Sequence, residues 1–300
     1  MDLKTLRETP PWDWPEEADR IFLEILTNDR ADAVDRIIAA ELAGSITVIN
    51  DELVDALLSI VKNGNNSEEL RSKAAISLGP ILELADTDGF EDPDDVPISE
   101  GAFHKIRESL KKLYRDAAVP KNVRRRVLEA SVRAPQDWHT GAVRSAYDSD
   151  DEDWNLTAVF SMRWIRGFDS QILEALDSDS QDIHYEAICA AGNWEVDAAW
   201  PHISALVTSS NTEKFLLLAA IEAVASIRPE EAGMILVDLT DSDDEDIVEA
   251  AHEAMTMAGG QLGYETEDFE EDGEFDEDEL DDFEEDDEFD EDDDGNGYVH

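Results

Sequence analysis

A motif that recurs about every thirty residues in the second half of the chain restricts the fold more than any other feature. The copies start at the apolar residues Trp154, Ile183, Leu216 and Ile247, with spacings of 29, 33 and 31 residues. Small residues follow four and seven positions later: Ala158 and Ser161, Ala187 and Ala190, Ala220 and Ala223, and Ala251 and Ala254. Residues with this spacing lie on one face of a helix, where small side chains allow a neighbouring helix to approach closely. The motif therefore predicts a stack of helices.

A second helical stretch precedes each copy of the motif. These stretches cover residues 141–147, 171–176, 198–207 and 232–239. The turns at residues 148–153 and 241–246 both read Asp-Ser-Asp-Asp-Glu-Asp, a composition typical of helix starts because these side chains accept bonds from free backbone amides. One helix pair per thirty residues is the unit of an α-solenoid, in which each pair buries its apolar face against the next.

Residues 191–206, followed by the spaced alanines, resemble HEAT repeats, particularly the short bacterial type also seen in phycobilisome-lyase-like proteins. The resemblance implies an all-α fold, an α-solenoid of about seven HEAT-like helix pairs over residues 16–260, after an N-terminal extension at residues 1–15. The same template also fits segments that begin at Val34, Leu70 and Val123.

HEAT repeats usually carry an Arg directly after the first apolar residue of the inner helix. Arg71 and Arg124 match this pattern. Other residues occupy the position in the remaining units, namely Asn155, His184, Leu217 and Val248. The chain therefore departs from the family's Asp-Arg ladder in its C-terminal units.

The repeat is interrupted between the units that begin at Leu70 and Val123, where the spacing is 53 residues. The extra length maps to residues 85–100, which are acidic and contain Gly89, Pro93 and Pro97. This composition predicts a loop. Insertions in solenoids often lie on a binding face, and the alternative is a solvated spacer.

A basic segment follows this predicted loop. Residues 104–133 contain ten Lys and Arg against three Asp and Glu, within a chain of net charge −53. The candidate patch for an anion or a partner consists of Lys105, Lys112, Arg115, Arg124, Arg125 and Arg126. A solvated charged face is the alternative reading of this segment.

Residues 261–300 are predicted to form a disordered acidic tail. Residues 265–294 contain 23 acids and no base, and acids this dense repel one another and bury no core. Four aromatic residues are candidate anchors on a basic partner: Phe269, Phe275, Phe283 and Phe289. The tail could alternatively serve only solubility, or lie on the chain's own basic patch.

We find no motif for catalysis, a cofactor or a metal. The chain has no phosphate loop, dinucleotide fingerprint, nucleophile elbow or paired-cysteine site, and its six histidines are spread over different units. We expect a protein that is not an enzyme and has no cofactor. The alternative implied by the resemblance is an enzyme or enzyme accessory related to the bilin lyases.

Charge and hydropathy limit the possible partners and location. A net charge of −53 disfavours nucleic acid and anionic membranes, although a halophilic source could also produce an acidic body. No apolar run is long enough to span a membrane, and residues 1–17 carry acids and prolines, so we expect a cytoplasmic protein.

The sequence as a whole predicts a scaffold or adaptor that binds protein partners through the solenoid, with the acidic tail as a second contact. A further alternative makes the tail the active part, as a polyanion that shields basic proteins in the manner of a chaperone or a nucleic-acid mimic.

Overall fold

The computed structural model describes residues 3–92 and 95–261. This part of the chain contains sixteen α-helices, three short 3-10 turns and no β-strand. The helices are α1 (Leu3–Glu8), α2 (Ala18–Thr27), α3 (Ala33–Leu42), α4 (Asp51–Lys62), α5 (Glu68–Ile76), α6 (Gly79–Asp88), α7 (Glu100–Arg115), α8 (Lys121–Ser131), α9 (Asp137–Tyr147), α10 (Glu152–Ser161), α11 (Asp169–Ala175), α12 (Gln181–Asn193), α13 (Trp200–Thr208), α14 (Lys214–Ile227), α15 (Pro229–Leu236) and α16 (Glu245–Gln261). The predicted disordered tail lies outside the described residues from residue 262 onward, together with its four phenylalanines, whereas Gln261 is the last residue of α16.

Fourteen of these helices form seven consecutive pairs, as the repeat predicts. We call α3, α5, α8, α10, α12, α14 and α16 the inner helices, because each contacts the next inner helix along the array. Their partners α2, α4, α7, α9, α11, α13 and α15 are the outer helices. The chain is therefore an all-α solenoid of seven HEAT-like helix pairs, which confirms the predicted fold class. No helix in the described residues combines the length and the hydropathy that a membrane crossing requires.

Small residues allow the inner helices to approach one another. Ala158, Ala187, Ala220 and Ala251, all from the repeated motif, are 0% exposed. A Cβ atom added to Gly192 of α12 would lie 3.1 Å from Ala223 of α14. Because larger side chains at these positions would overpack the interface, the repeated sequence motif follows from the distance between neighbouring helices.

The two identical acidic turns have the same structural role. Asp151 accepts a bond from the Trp154 amide at the start of α10. Lys121, the first residue of α8, forms salt bridges with Asp151 and Asp153 at 2.9 and 2.8 Å. In the last two pairs, Lys214 meets Asp244 and Asp246 at 2.7 and 2.6 Å in the same way. Each turn thus begins one inner helix and ties it to the start of the preceding one.

The fourth position of the inner helix, which Arg71 and Arg124 occupy in the sequence pattern and which the structure also assigns to Arg36, has a defined role in several units. Arg36 and Arg71, each the fourth residue of its inner helix, donate to the carbonyl oxygens of Leu26 and Val61 at 3.2 and 2.9 Å. These carbonyls lie at the ends of α2 and α4, where helices have unsatisfied acceptors. In α10 the shorter Asn155 donates to Tyr147 at 3.2 Å. In these three units the position joins the two helices of one pair, whereas Arg124 lies over the Trp154 ring of the next unit.

The predicted loop at residues 85–100 is partly helical. Helix α6 continues to Asp88 because Leu82 and Ala85 share a buried face that packs on α8. It ends at Gly89, whose φ of 73° favours glycine. The prediction of a loop was wrong for residues 85–88, because the acidic composition masked this apolar face.

Residues 96–99 of this segment contact the solenoid, and Ser99 is anchored to α4. Val96 and Ile98 are both 4% exposed, and Ser99 bonds to Asp51 through its amide and its hydroxyl at 2.8 and 2.7 Å. These contacts contradict a simple solvated spacer for residues 96–99.

The N-terminal extension covers the first pair. Leu3 and Leu6 of α1 are buried, and α1 packs on α3. The indole nitrogen of Trp14 donates to the carbonyl oxygens of Leu6 and Thr9, both at 2.9 Å. At the other end of the array, one flank of α16 presents Glu245, Glu249, His252, Glu253 and Thr256. Polar outer surfaces of this kind are required at the ends of solenoids.

Candidate functional site

The structure divides the six cations of the predicted basic patch into two groups. Arg125 is buried, donates to Thr157 at 2.9 Å and forms a salt bridge with Asp153 at 2.8 Å. Arg124 lies over the ring of Trp154 at 5.7 Å. Arg126 pairs with Glu129, and Lys105 pairs with Asp55. These four cations make contacts within the solenoid, so they do not form one open anion site.

The α8 cations belong to a buried polar network that joins α8 to α10. Glu129 is 2% exposed and accepts a bond of 2.6 Å from the Thr157 hydroxyl, which in turn accepts from Arg125. A buried carboxylate needs such partners because removal from water otherwise destabilises it strongly. We therefore assign this network to the packing of adjacent repeats.

The other two predicted residues, Lys112 and Arg115, lie in a basic groove on the outer helix α7. Arg107, Lys111 and Arg115 are spaced by four residues and share one side of α7 over about 12 Å. On the α4 side, Lys62 and Lys112 line a space of about 1110 Å³. On the α9 side, the three cations spaced by four residues, together with Gln136 and Trp138, line a space of about 540 Å³. We call this surface the α7 groove.

No salt bridge in the part of the chain that the structure describes involves the five cations of the α7 groove, namely Lys62, Arg107, Lys111, Lys112 and Arg115. Arg107 lies over the Phe103 ring, 5.0 Å from its centroid, and near Asp86. Three of the five, Lys62, Lys112 and Arg115, have exposed side chains, and the other two are half-buried. The groove is therefore positive within a strongly acidic chain.

Two neighbouring groups respond to this positive charge. Burial lowers the pKa of the Lys62 amine, nearby Lys105 and Lys112 lower it further, and Asp55 opposes them. Burial also lowers the pKa of His139 to about 4, and Arg107 and Lys111 add to the lowering. Burial is the larger cause for both groups, and the neighbouring like charges act in the same direction.

A second groove lies on the exposed face of the inner helices α12, α14 and α16. It has a volume of about 570 Å³. Its apolar wall contains Tyr185, Phe215, Leu218 and Met257. Phe215 is 39% and Met257 37% exposed, and the rings of Tyr185 and Phe215 lie 6.1 Å apart. We call it the inner-face groove.

The charged residues that line the inner-face groove are all acids. Asp246 is paired with Lys214, whereas Glu222, Glu249 and Glu253 form no salt bridge within residues 3–92 and 95–261. Cys189 lies next to Tyr185, and burial raises the pKa of its thiol, so the thiol stays protonated near neutral pH. The groove thus combines apolar side chains with negative charge.

This groove was missed in the sequence because its apolar members resemble core residues. Phe215 directly precedes Leu216 and Leu217, which are buried, and nothing in the local sequence distinguishes the three. The sequence did contain one signal, the place of Phe215 in the repeat. Phe215 lies one residue before the repeated apolar position, so it faces a different side of the helix.

The structure also brings two histidines together. The Nε2 atoms of His184 and His202 are 2.9 Å apart, and Asp177 lies 3.7 Å from Nδ1 of His202. Burial lowers the pKa of His184, and His202 lowers it further. In the described residues, no group of three or more His, Cys, Asp or Glu side chains is arranged to hold a metal ion.

Comparison with known proteins gives neither a matching family model nor a matching curated protein. Among solved structures, human deoxyhypusine hydroxylase in complex with glycerol is 17% identical, covering 86% of this chain and 88% of its own, with a TM-score of 0.39. The Escherichia coli protein YibA is 16% identical over 82% of this chain and 84% of its own, with a TM-score of 0.42. An engineered protein is 16% identical over 82% and 98%, with a TM-score of 0.33. Scores at this level assign neither a site nor an activity.

Proposed function

We propose that this protein is a scaffold or adaptor that binds partner proteins through the exposed face of its inner helices. The inner-face groove between α12, α14 and α16 is the observation that carries the proposal. Exposed aromatic and apolar side chains inside a groove with a charged rim are the usual composition of protein-binding sites.

The lining of the groove defines the chemistry of its partner. Phe215, Tyr185 and Met257 offer apolar contacts, and a flexible Met adapts to side chains of different shape. Glu222, Glu249 and Glu253 favour Lys or Arg beside those contacts. The partner segment is therefore basic and amphipathic, with apolar anchors on one side and cations on the flanks.

The experiment measures binding of a labelled amphipathic Lys/Leu peptide of about 18 residues, long enough for about five helical turns. A Glu/Leu peptide of the same length controls for general stickiness. Fluorescence anisotropy is recorded for the full chain and for a chain that ends at Gly263, because residues Met1–Gly263 form one compact unit.

Two pairs of variants test the site. Phe215→Ala is expected to weaken binding about 10-fold, while Met234→Ala, which removes an apolar side chain that is 72% exposed on the outer helix α15, leaves it unchanged. Charge reversal of Glu249 and Glu253 to Lys is expected to weaken binding strongly, whereas reversal of the exposed Glu230 and Asp238 does so only slightly.

The outcomes separate this function from the polyanion alternative. Binding that survives in the chain ending at Gly263 and responds to Phe215→Ala supports the groove. Binding that requires residues 264–300 and ignores Phe215→Ala supports the acidic tail instead, and no binding of the Lys/Leu peptide to either chain removes the proposal.

The bilin-lyase-related alternative gains no specific observation in the described residues, and neither does the narrower assignment to the phycobilisome-lyase-like type of repeat. A single cysteine is compatible with a reducing compartment, and we propose the cytoplasm as the location.

A further inference from the structure

The geometry points to a second binding site: the α7 groove binds an acidic segment of a polypeptide chain. This groove is basic and lies on an outer helix, whereas the inner-face groove is acidic and lies on inner helices. The site is independent of the inner-face groove, because it lies on the outer helix of the third pair.

The spacing of the cations favours an extended ligand. Arg107, Lys111 and Arg115 follow one another along α7 at intervals of one helical turn, about 5–6 Å between Cβ atoms. In an extended peptide, side chains on the same face repeat at about 6.6–6.8 Å. Carboxylates at alternate positions of such a segment can therefore meet successive cations, whereas a single compact anion would contact only some of them.

The groove also contains hydrogen-bond donors without partners. The side-chain nitrogens Nε2 of Gln136 and Nε1 of Trp138 are buried and have no hydrogen-bond partner among the described residues. Both residues line the α9 side of the groove. Unpaired buried donors are uncommon in folded proteins, and in our proposal a peptide carbonyl or carboxylate oxygen satisfies them when the side chains of this wall turn toward the ligand.

A polypeptide suits the groove better than a nucleic acid. Leu113 and the Trp138 ring lie among the cations, and the groove walls also include Glu108, Asp116 and Asp137. A phosphate backbone carries a negative charge at every nucleotide, so it would meet these acids as well as the cations. An acidic peptide with occasional aromatic residues can place carboxylates on the cations and a ring near Leu113 or Trp138.

The net charge of the protein does not prevent this contact. At physiological ionic strength the Debye length is about 8 Å, so acids outside the immediate surroundings of the groove are largely screened. Within the groove, five cations stand against the three acids that line it.

Residues 265–294 of the chain supply a suitable probe, because they contain 23 acids and four phenylalanines. A labelled synthetic peptide of this sequence is titrated with the chain ending at Gly263 and with the full chain. A second peptide replaces Phe269, Phe275, Phe283 and Phe289 by Ala, and a single-stranded oligonucleotide of about equal charge represents the nucleic-acid class.

The groove is tested by a double charge reversal with a matched control. Lys111→Glu with Arg115→Glu is expected to weaken binding of the peptide at least about 10-fold. Arg20→Glu with Arg30→Glu makes the same charge change at exposed sites near α2 and is expected to leave the affinity within about 2-fold. Circular dichroism checks that both variants fold, and Lys111→Gln with Arg115→Gln provides a milder version.

Weaker binding of the peptide by the full chain than by the chain ending at Gly263 supports the proposal and identifies the chain's own acidic segment as a competitor. Equal binding by the two also supports it and points to an acidic segment of another protein. The proposal is overturned if the peptide does not bind, if both double reversals weaken it equally, or if the oligonucleotide binds as tightly.

Discussion

His139 is expected to make the stability of the solenoid depend on pH in a predictable direction. Its side chain is 0% exposed, and its Nδ1 accepts a bond of 2.9 Å from the Gln136 amide. The proton of the neutral ring is therefore on Nε2, which donates to the Ser131 hydroxyl at 3.0 Å. Protonation of Nδ1 would break the bond from Gln136 and place a charge beside Arg107 and Lys111, which already lower the pKa of His139.

The magnitude follows from the difference between the two pKa values of His139. The value is about 4 in the folded chain and about 6.5 in the unfolded chain. Because the folded value is the lower one, the unfolded state binds the proton first as the pH falls. The stabilisation is present above pH 6.5 and is lost as the pH falls toward and through 4. Between pH 7 and pH 5 this linkage lowers the free energy of unfolding by about 2 kcal/mol.

Urea unfolding of the wild type and of His139→Asn at pH 7 and pH 5 measures this effect. Asn retains an oxygen that can accept the Gln136 bond but has no titrating ring. The wild type should lose about 2 kcal/mol more than the variant between the two pH values, whatever the variant's stability at pH 7. His252→Asn, at an exposed position, serves as the control and should behave like the wild type. Equal losses in the wild type and in His139→Asn would refute the reasoning.

Two further predictions concern packing and the joints between paired helices. Gly44→Ala places a Cβ atom 2.3 Å from the Ser77 carbonyl oxygen and should lower the free energy of unfolding by about 1–3 kcal/mol. Gly141 lies inside α9 with open space around it, so Gly141→Ala should raise the free energy of unfolding by up to about 1 kcal/mol. Equal urea midpoints for the two variants would contradict the close approach at Gly44. Arg71→Met leaves the Val61 carbonyl without its side-chain donor and should destabilise by about 1–3 kcal/mol. Arg30→Met, at an exposed site, is the control. Equal losses of unfolding free energy in the two variants would contradict a stabilising role for the bond from Arg71 to Val61.

The helix stack could be predicted from the sequence because one physical requirement recurs in every unit. A residue such as Ala187 or Ala220 must be small wherever two inner helices touch, and this requirement leaves a period that is visible without coordinates. The acidic turns could be predicted as helix caps because their Asp and Ser side chains accept bonds from free backbone amides. Their second role, the salt bridges from Lys121 and Lys214, depends on which repeat lies next in space.

The candidate patch was only partly predictable because a run of charges does not reveal its partners. Arg125 looks as available as Arg115 in the sequence, but its partners Asp153 and Thr157 lie 28 and 32 residues further along, in the next repeat. Conversely, Lys62 joins the α7 groove from the end of α4, far from the basic segment. Pairing across repeats therefore decides which cations remain available to a ligand.

The residues that stack the helices differ from the residues to which we assign binding in our proposals. The contacts between inner helices use buried small residues, whereas the two grooves are lined mainly by exposed or half-buried side chains such as Phe215 and Arg115. In a repeat array each unit is stabilised mainly by its neighbours, so changes at groove positions alter the surface without removing the stacking contacts. Because one groove is acidic on inner helices and the other is basic on an outer helix, a partner that fills either groove leaves the other free. If both proposed sites bind, we expect the same array to hold two segments of opposite charge at once.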